Sequence, residues 1–278
     1  MNCEKIIMEN KLKEIKKAWV CKQQQGAAVG AWDTVSKEYA DKGLPDFKTD
    51  GFLKVIDKSI NLTREMTSLD VGCGAGIYSL ALAFRLKHVT GVDFSPEMIK
   101  LAKRLAQKYN LKNTEFRQFN WLQEDASYYK HKYDVVYAHN TPALADYETL
   151  KKIIDSSKRY CFIEQGIRRI EPILDKLSMM LGTDWDKQFC DEVFLNSFET
   201  LWAMGYEPYV TYRPAVWSGE RLLEKAIPWY ISRLEGGRGE KLDPKSKQKV
   251  IDYLSSISRN GNTREEIHNT TVTIFWEV

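Results

Sequence analysis

Two short stretches of the chain carry residues whose types and spacing suit the binding of an adenosine-containing cofactor. In LDVGCGAGIYS, residues 69–79, the acid Asp70 is followed by Gly72, Gly74 and Gly76. In GVDFSPEMI, residues 91–99, an apolar run ends in a second acid, Asp93. Glycine lacks a Cβ and lets backbone N–H groups come close to a ligand, and a carboxylate has acceptor oxygens for both hydroxyls of a ribose. The spacing speaks against a dinucleotide. That fingerprint, G-x-G-x-x-G, requires a glycine at 77, where this chain has Ile77.

These residues meet only if strands and helices alternate around them. The pattern predicts a helix over 50–61, a strand over 67–71, a helix over 75–86 and a strand over 88–93. Ser95 as N-cap with Pro96 behind it starts the next helix, whose apolar face is Ile99, Ala102, Leu105, Ala106 and Tyr109. Strands follow over 114–119, 133–138 and 160–164, so the sheet is expected to be mostly parallel with helices on both faces. Helical segments are then expected within 172–190 and over 191–204, and strands over 206–212 and 271–277. Between the last two strands lie Trp217, Trp229, Tyr230 and Tyr253, which either form a small core or line an acceptor site. Residues 4–23 read as an amphipathic helix with Ile7, Leu12, Ile15, Trp19 and Val20 on one stripe, docked on the domain or lying on a membrane surface.

The composite of strand, D-x-G-x-G-x-G turn, helix, and strand ending in Asp93 resembles motifs I and II of the class I S-adenosylmethionine-dependent methyltransferases. The resemblance covers about residues 30–212 and 265–278. It implies an α/β fold: a doubly wound, seven-stranded Rossmann-like sheet with strand 7 antiparallel. It also implies an N-terminal helical segment, 1–45, over the cofactor site and a methyltransferase domain, 46–278, with helical cap segments inserted at about 168–190 and 213–264. The implied cofactor is S-adenosylmethionine, with S-adenosylhomocysteine as product.

Site residues carry over one at a time. Asp70 is expected to order the glycine turn or meet the methionine amino group, and the backbone of Gly72, Cys73, Gly74 and Gly76 to approach the cofactor. Asp93 is expected on the ribose. Phe94 and Met98 are expected on the adenine, with ordinary helix core as the other reading of Met98. Asn120 stands where the family more commonly has an aspartate for the adenine amine; Trp121 beside it flanks the adenine or packs a lid. Tyr39 ends a W-x-x-x-A-x-x-Y-like segment in which Ser36 replaces the alanine; it either reaches over the cofactor or sits in a core. His139 and Asn140, at the end of strand 4, are expected near the sulfonium. His139 is the candidate catalytic residue, as general base or as a contact to the cofactor backbone.

The same stretch narrows the acceptor. His139-Asn140-Thr141-Pro142 lacks the second proline and the aromatic of the N-P-P-Y motif of amino-methylating nucleic-acid enzymes. The chain carries 41 basic and 38 acidic residues, a net charge of +3, too small to imply a nucleic-acid partner. A small-molecule substrate is therefore expected, and a homodimer is left open. The cysteines at 3, 21, 73, 161 and 190 form no C-x-x-C pair, and the histidines no H-x-x-H pair, so neither a disulfide framework nor a metal site is expected. No apolar run approaches the ~20 residues of a membrane span and no signal peptide is read, which fits a cytoplasmic protein. Two other classes stay open: a non-catalytic S-adenosylmethionine-binding protein and another adenosyl-cofactor transferase. The second is the weaker, since acids that would hold a polyamine are missing directly after strand 4, with Asp146 only later.

Overall fold

Strands β1 (Thr67–Val71), β2 (His88–Asp93), β3 (Thr114–Gln118), β4 (Tyr133–His139), β5 (Ser157–Ile170), β6 (Tyr209–Leu222) and β7 (Asn262–Glu277) form a seven-stranded sheet. This is a computed structural model, and it describes residues 3–20, 43–182, 189–238 and 240–278. The strand order is β3-β2-β1-β4-β5-β7-β6; β1 to β5 pair in parallel, and β7 runs antiparallel. The chain leaves β1 towards β2 and β3, then crosses back to β4 on the other side. The carboxyl ends of β1 and β4 thus flank the switch point at which open α/β sheets bind ligands.

Local chemistry sets the helices. Pro96 opens α4 (Pro96–Lys108), and the Ser95 hydroxyl accepts from the Met98 N–H at 3.1 Å, as the sequence predicts. Asp50 caps α2 (Gly51–Ser59) by accepting from the Leu53 N–H. Asp146 and Thr149 form a capping box at the start of α5 (Tyr147–Ser156). Helix α3 (Ile77–Ala83) is shorter than expected at both ends; its late start is set by Gly76, which precedes it in a left-handed conformation, φ +74°. In α1 (Cys3–Ala18) and just beyond it, Ile15 and Trp19 are buried while Ile7 and Val20 are exposed, so only part of the predicted stripe docks. The segment that holds Tyr39 lies outside the described residues.

The chain divides into two compact units: one of residues 1–165, 193–211 and 272–278, the other of residues 166–192 and 212–271. The first holds a core in which Phe52, Leu53 and Ile56 of α2 meet Leu82, Val135, Tyr137, Phe162 and Phe275. A second cluster there joins Leu80, Met98, Ala102 and Phe116. The other unit has its own core, built by α6 (Pro172–Leu181), α8 (Leu223–Arg238) and α9 (Pro244–Ile257) around Leu174, Leu177, Tyr230 and Leu254. Two buried acids brace it. Glu171 takes a two-pronged bond from Arg233 at 2.8 and 3.0 Å, and Glu265 accepts from the Tyr230 hydroxyl at 2.6 Å and the Ile173 N–H at 3.0 Å. Helix α7 (Phe189–Ala203) links the two units along the chain.

Strands β5, β6 and β7 are longer than their apolar runs. β5 continues past Glu164 to Ile170, and β7 begins at Asn262 rather than near 271. In β7 the extra residues are mostly polar, NTREEIHNTT at 262–271, so hydrophobic alternation stops before the strand does.

Candidate functional site

Register places the expected site residues on one face of the sheet. Phe116, Gly91, Asp70, Tyr137 and Phe162 are paired neighbours across β3, β2, β1, β4 and β5. Side chains two positions further along point the same way, so Asp93, His139 and Glu164 share that face at the carboxyl ends of their strands.

The glycine turn closes off this edge. The Gly72 and Cys73 N–H groups both donate to the Val92 carbonyl, at 2.8 and 3.0 Å, tying the turn to β2. Gly72 has φ +71°, and a Cβ there would lie 1.9 Å from Thr141 Oγ1. Only glycine fits beneath Thr141, which the sequence reading did not single out as a partner of the turn. At Gly74, φ +52°, the nearest atom to an added Cβ is Met98 Sδ at 3.9 Å.

Asp93 joins the two motifs. Its Oδ2 accepts from the Gly74 N–H at 2.8 Å and its Oδ1 from the Ser95 N–H at 2.9 Å. Asp70 is 2% exposed and accepts from the Ser79 hydroxyl at 2.5 Å. Burial pushes its carboxyl from the ordinary 3.8 up to about 6; Ser79, Tyr137 and His139 oppose the rise, and Asp93 adds to it. The Tyr137 hydroxyl is buried beside this pair yet outside hydrogen-bond geometry. Burial, then Asp70 and Asp93, push the Cys73 thiol well above its usual range, so it is a neutral thiol here.

At the end of β4, the His139 ring lies 4.0 Å from the Tyr78 ring and 4.8 Å from that of Phe52, centre to centre. His139 Nε2 is 3.2 Å from Glu164 Oε1 and 3.3 Å from Asn140 Nδ2. Asn140 has φ +47° and donates its backbone N–H to the Glu164 carbonyl at 2.8 Å. The sequence reading missed Glu164, Tyr78 and Phe52.

The residues expected around the adenine are placed differently from one another. Phe94 is half-buried directly after Asp93, and its carbonyl accepts from Gln118. Met98 is buried within the α4 cluster. Asn120 turns its amide into its own loop: Oδ1 accepts from the Leu122 N–H at 3.1 Å and Nδ2 donates to Gln123 at 3.0 Å. Trp121, 2% exposed, donates Nε1 to the Thr149 carbonyl at 3.2 Å and packs against Phe119 and Tyr129.

A family model described as a methyltransferase domain matches residues 62–210, more than half of the chain. The chain belongs to the methyltransferase domain family. Its strand order with an antiparallel β7 is that of the class I methyltransferase fold. Among relatives of this methyltransferase, protein arginine N-methyltransferase 1 of Saccharomyces cerevisiae is 29% identical over 59% of this chain and 45% of that protein. Ubiquinone biosynthesis O-methyltransferase of Xylella fastidiosa is 37% identical over 26% of this chain and 37% of that protein. The chain thus spans less than half the length of each. A solved candidate methyltransferase from Bacillus halodurans C-125 shares the fold, with TM-score 0.51 at 13% identity over 82% of this chain and 98% of that one. Among the described residues, no group of three or more His, Cys, Asp or Glu stands together to hold a metal. No helix there is long and apolar enough to cross a membrane.

Proposed function

We propose that this methyltransferase moves its methyl group to a small-molecule acceptor by in-line displacement. The enclosure of His139 carries the proposal: its side chain is 16% exposed and its ring is packed against Tyr78 and Phe52. An edge this confined suits the reacting atom of a small molecule better than a base swung out of a nucleic acid. The reading is further supported by the His139-Asn140-Thr141-Pro142 sequence and the small net charge of +3.

S-adenosylmethionine supplies, when bound, a methyl group on a positively charged sulfur, already electrophilic. The residues present fit it: an open backbone at Gly74, where the nearest atom to an added Cβ is Met98 Sδ at 3.9 Å, and the Asp93 carboxylate that accepts from the Gly74 N–H. The chain's work is to hold and orient. Asp93 accepts from the ribose hydroxyls while keeping the Gly74 N–H in place. Asp70 keeps the turn in shape through Ser79 and offers negative charge to the methionine amino group. The backbone from Gly72 to Gly76, with Phe94 and Met98, frames the cofactor; Asn120 and Trp121 support the adenine side. His139 and Asn140 face the acceptor. Such positioning supplies up to ~7–11 kcal/mol of a barrier in favourable systems. The free thiols of Cys73 and Cys161 suit a reducing cytoplasm.

The test is methyl transfer from radiolabelled S-adenosylmethionine into three separated fractions of a cell extract: metabolites, proteins and RNA. Enzyme-dependent label in the metabolite fraction is expected. Label confined to protein or RNA overturns the acceptor class. No label anywhere, with S-adenosylhomocysteine still bound by calorimetry, makes the chain a non-catalytic binder.

A further inference from the structure

The four aromatics between the last two strands separate in the structure. Tyr230 is 2% exposed and belongs to the core of its unit, with Trp229 and Tyr253 packed against that core. Trp217 instead stands 41% exposed on β6, the last strand of the sheet order. Alternate side chains on a strand share a face, so Trp217, Gly219 and Arg221 stand in a row over about 13 Å of β6. Gly219 leaves the middle of the row open: the nearest atom to a Cβ there would be Arg221 Nη1, at 3.5 Å. Unpartnered groups stand at both ends. At one end, neither the oxygen nor the nitrogen of the buried Asn269 amide has a hydrogen-bond partner, a costly arrangement. A Cβ at Gly166 would lie 2.4 Å from Asn269 Nδ2 and 3.7 Å from Trp217 Cη2, so amide and indole meet over the same bare backbone. At the other end, the Arg221 guanidinium lies 4.6 Å from the centre of the Trp229 ring and, among the described residues, within ion-pair distance of no acid. The neighbouring carboxylates are occupied. Glu171 holds Arg233 and also Arg169, whose guanidinium lies 5.1 Å from the centre of the Trp217 ring. Glu265 holds the Tyr230 hydroxyl and the Ile173 N–H. Three guanidinium groups against two carboxylates leave one positive charge in this network, on Arg221.

We propose that Trp217, Gly219 and Arg221, with Asn269, bind the acceptor: a planar small molecule with a carboxylate at one end and a hydroxyl or amino group at the other. The proposal rests on the small-molecule reading above and names its substrate class. The carboxylate takes two parallel N–H bonds from the Arg221 fork, which stacking on Trp229 already orients. The ring fills the gap over Gly219 and lies against the indole of Trp217. The far polar group gives Asn269 the partner it lacks; an amide both donates and accepts, which suits a hydroxyl or an amine. Trp217, exposed and on an edge strand, shifts to admit it. A single uncompensated charge matches one carboxylate better than a phosphate ester, which carries nearly two charges at neutral pH.

The experiment is a ligand-observed NMR titration of the full-length chain with 4-hydroxybenzoate, benzoate, benzamide and phenyl phosphate. The wild type is expected to bind 4-hydroxybenzoate more tightly than benzoate, and benzamide about tenfold more weakly than benzoate. Arg221→Gln is expected to weaken both acids about tenfold or more, and Trp217→Leu about threefold or more. Lys245→Gln, which removes an exposed charge on α9, should leave them within about twofold. Asn269→Leu should abolish the preference for the hydroxylated acid. No binding of either acid by the wild type, or affinities within about twofold of wild type in both Arg221→Gln and Trp217→Leu, overturns the site. Trp217→Leu alone decides if Arg221→Gln does not fold. Phenyl phosphate bound more tightly than benzoate overturns the choice of carboxylate, and a hydroxyl preference kept in Asn269→Leu overturns the role of Asn269. A methyl-labelled metabolite that an anion exchanger does not retain overturns the acceptor class while leaving the small-molecule reading intact. Label found only in protein or RNA overturns that reading instead.

Discussion

Asp70 lowers the stability of the cofactor-free chain at neutral pH, and Asp70→Asn should remove that cost. The carboxyl is 2% exposed, and burial raises it from 3.8 to about 6. A carboxyl raised in the folded state binds its proton more tightly there than in the unfolded chain. Stability is therefore full below about pH 4, falls as the pH rises through about 6, and stays low above it. A gap of about 2 units corresponds to about 3 kcal/mol, an upper figure. Asparagine keeps an acceptor for the Ser79 hydroxyl, which lies 2.5 Å from Oδ2, and cannot ionise. Urea unfolding of cofactor-free protein at pH 4, 5, 6 and 7.5 measures this. The wild type should lose stability across the series while the variant stays flatter, ending up to about 3 kcal/mol ahead at pH 7.5, a midpoint shift of about 1 M urea. Parallel curves for the two proteins, or a variant less stable at pH 7.5, would refute the assignment. On the role proposed above for Asp70, towards the methionine amino group, the same variant should bind S-adenosylhomocysteine more weakly above pH 6, where the wild-type carboxylate is ionised.

Gly72→Ala should cost more than 3 kcal/mol and abolish binding of S-adenosylhomocysteine. It combines a left-handed backbone, φ +71°, worth about 1–2 kcal/mol, with a Cβ 1.9 Å from Thr141 Oγ1. Thermal unfolding with and without Thr141→Gly separates the two parts: the double variant should recover the clash and keep the backbone penalty, and no recovery would show that Thr141 does not set the glycine requirement. Trp121→Phe should destabilise by about 1–2 kcal/mol, because the Thr149 carbonyl loses its 3.2 Å partner, and should leave cofactor affinity within about twofold. A large loss of affinity in a folded Trp121→Phe protein would show that the indole touches the adenine.

How legible each feature was follows from the reach of the interaction behind it. The cofactor turn could be read because its constraints are local: three positive-φ positions demand glycine, and Ser95-Pro96 announces the helix behind Asp93. Strands β1 and β2 were legible to the residue, since each leads directly into a turn signal, the glycine turn after Val71 and Ser95-Pro96 after Asp93. The polar halves of β5 and β7 were not, because pairing rather than burial pattern makes them strands. The same logic separates His139 from Glu164. A histidine at the end of the fourth strand is visible from the resemblance alone. Its carboxylate partner is 25 positions away and is itself held by a threonine 109 positions further on, so neither spacing nor periodicity connects them. Only the order β4-β5-β7 does. Trp121 shows the opposite risk. Its place beside the adenine loop invites a ligand role, yet its indole N–H is bonded to α5 and its ring fills an aromatic cluster. Position in a motif tells which residues are near the chemistry, and hydrogen-bond partners tell which are still able to take part. By that criterion Trp121 belongs to the core, whatever its position in the motif suggests.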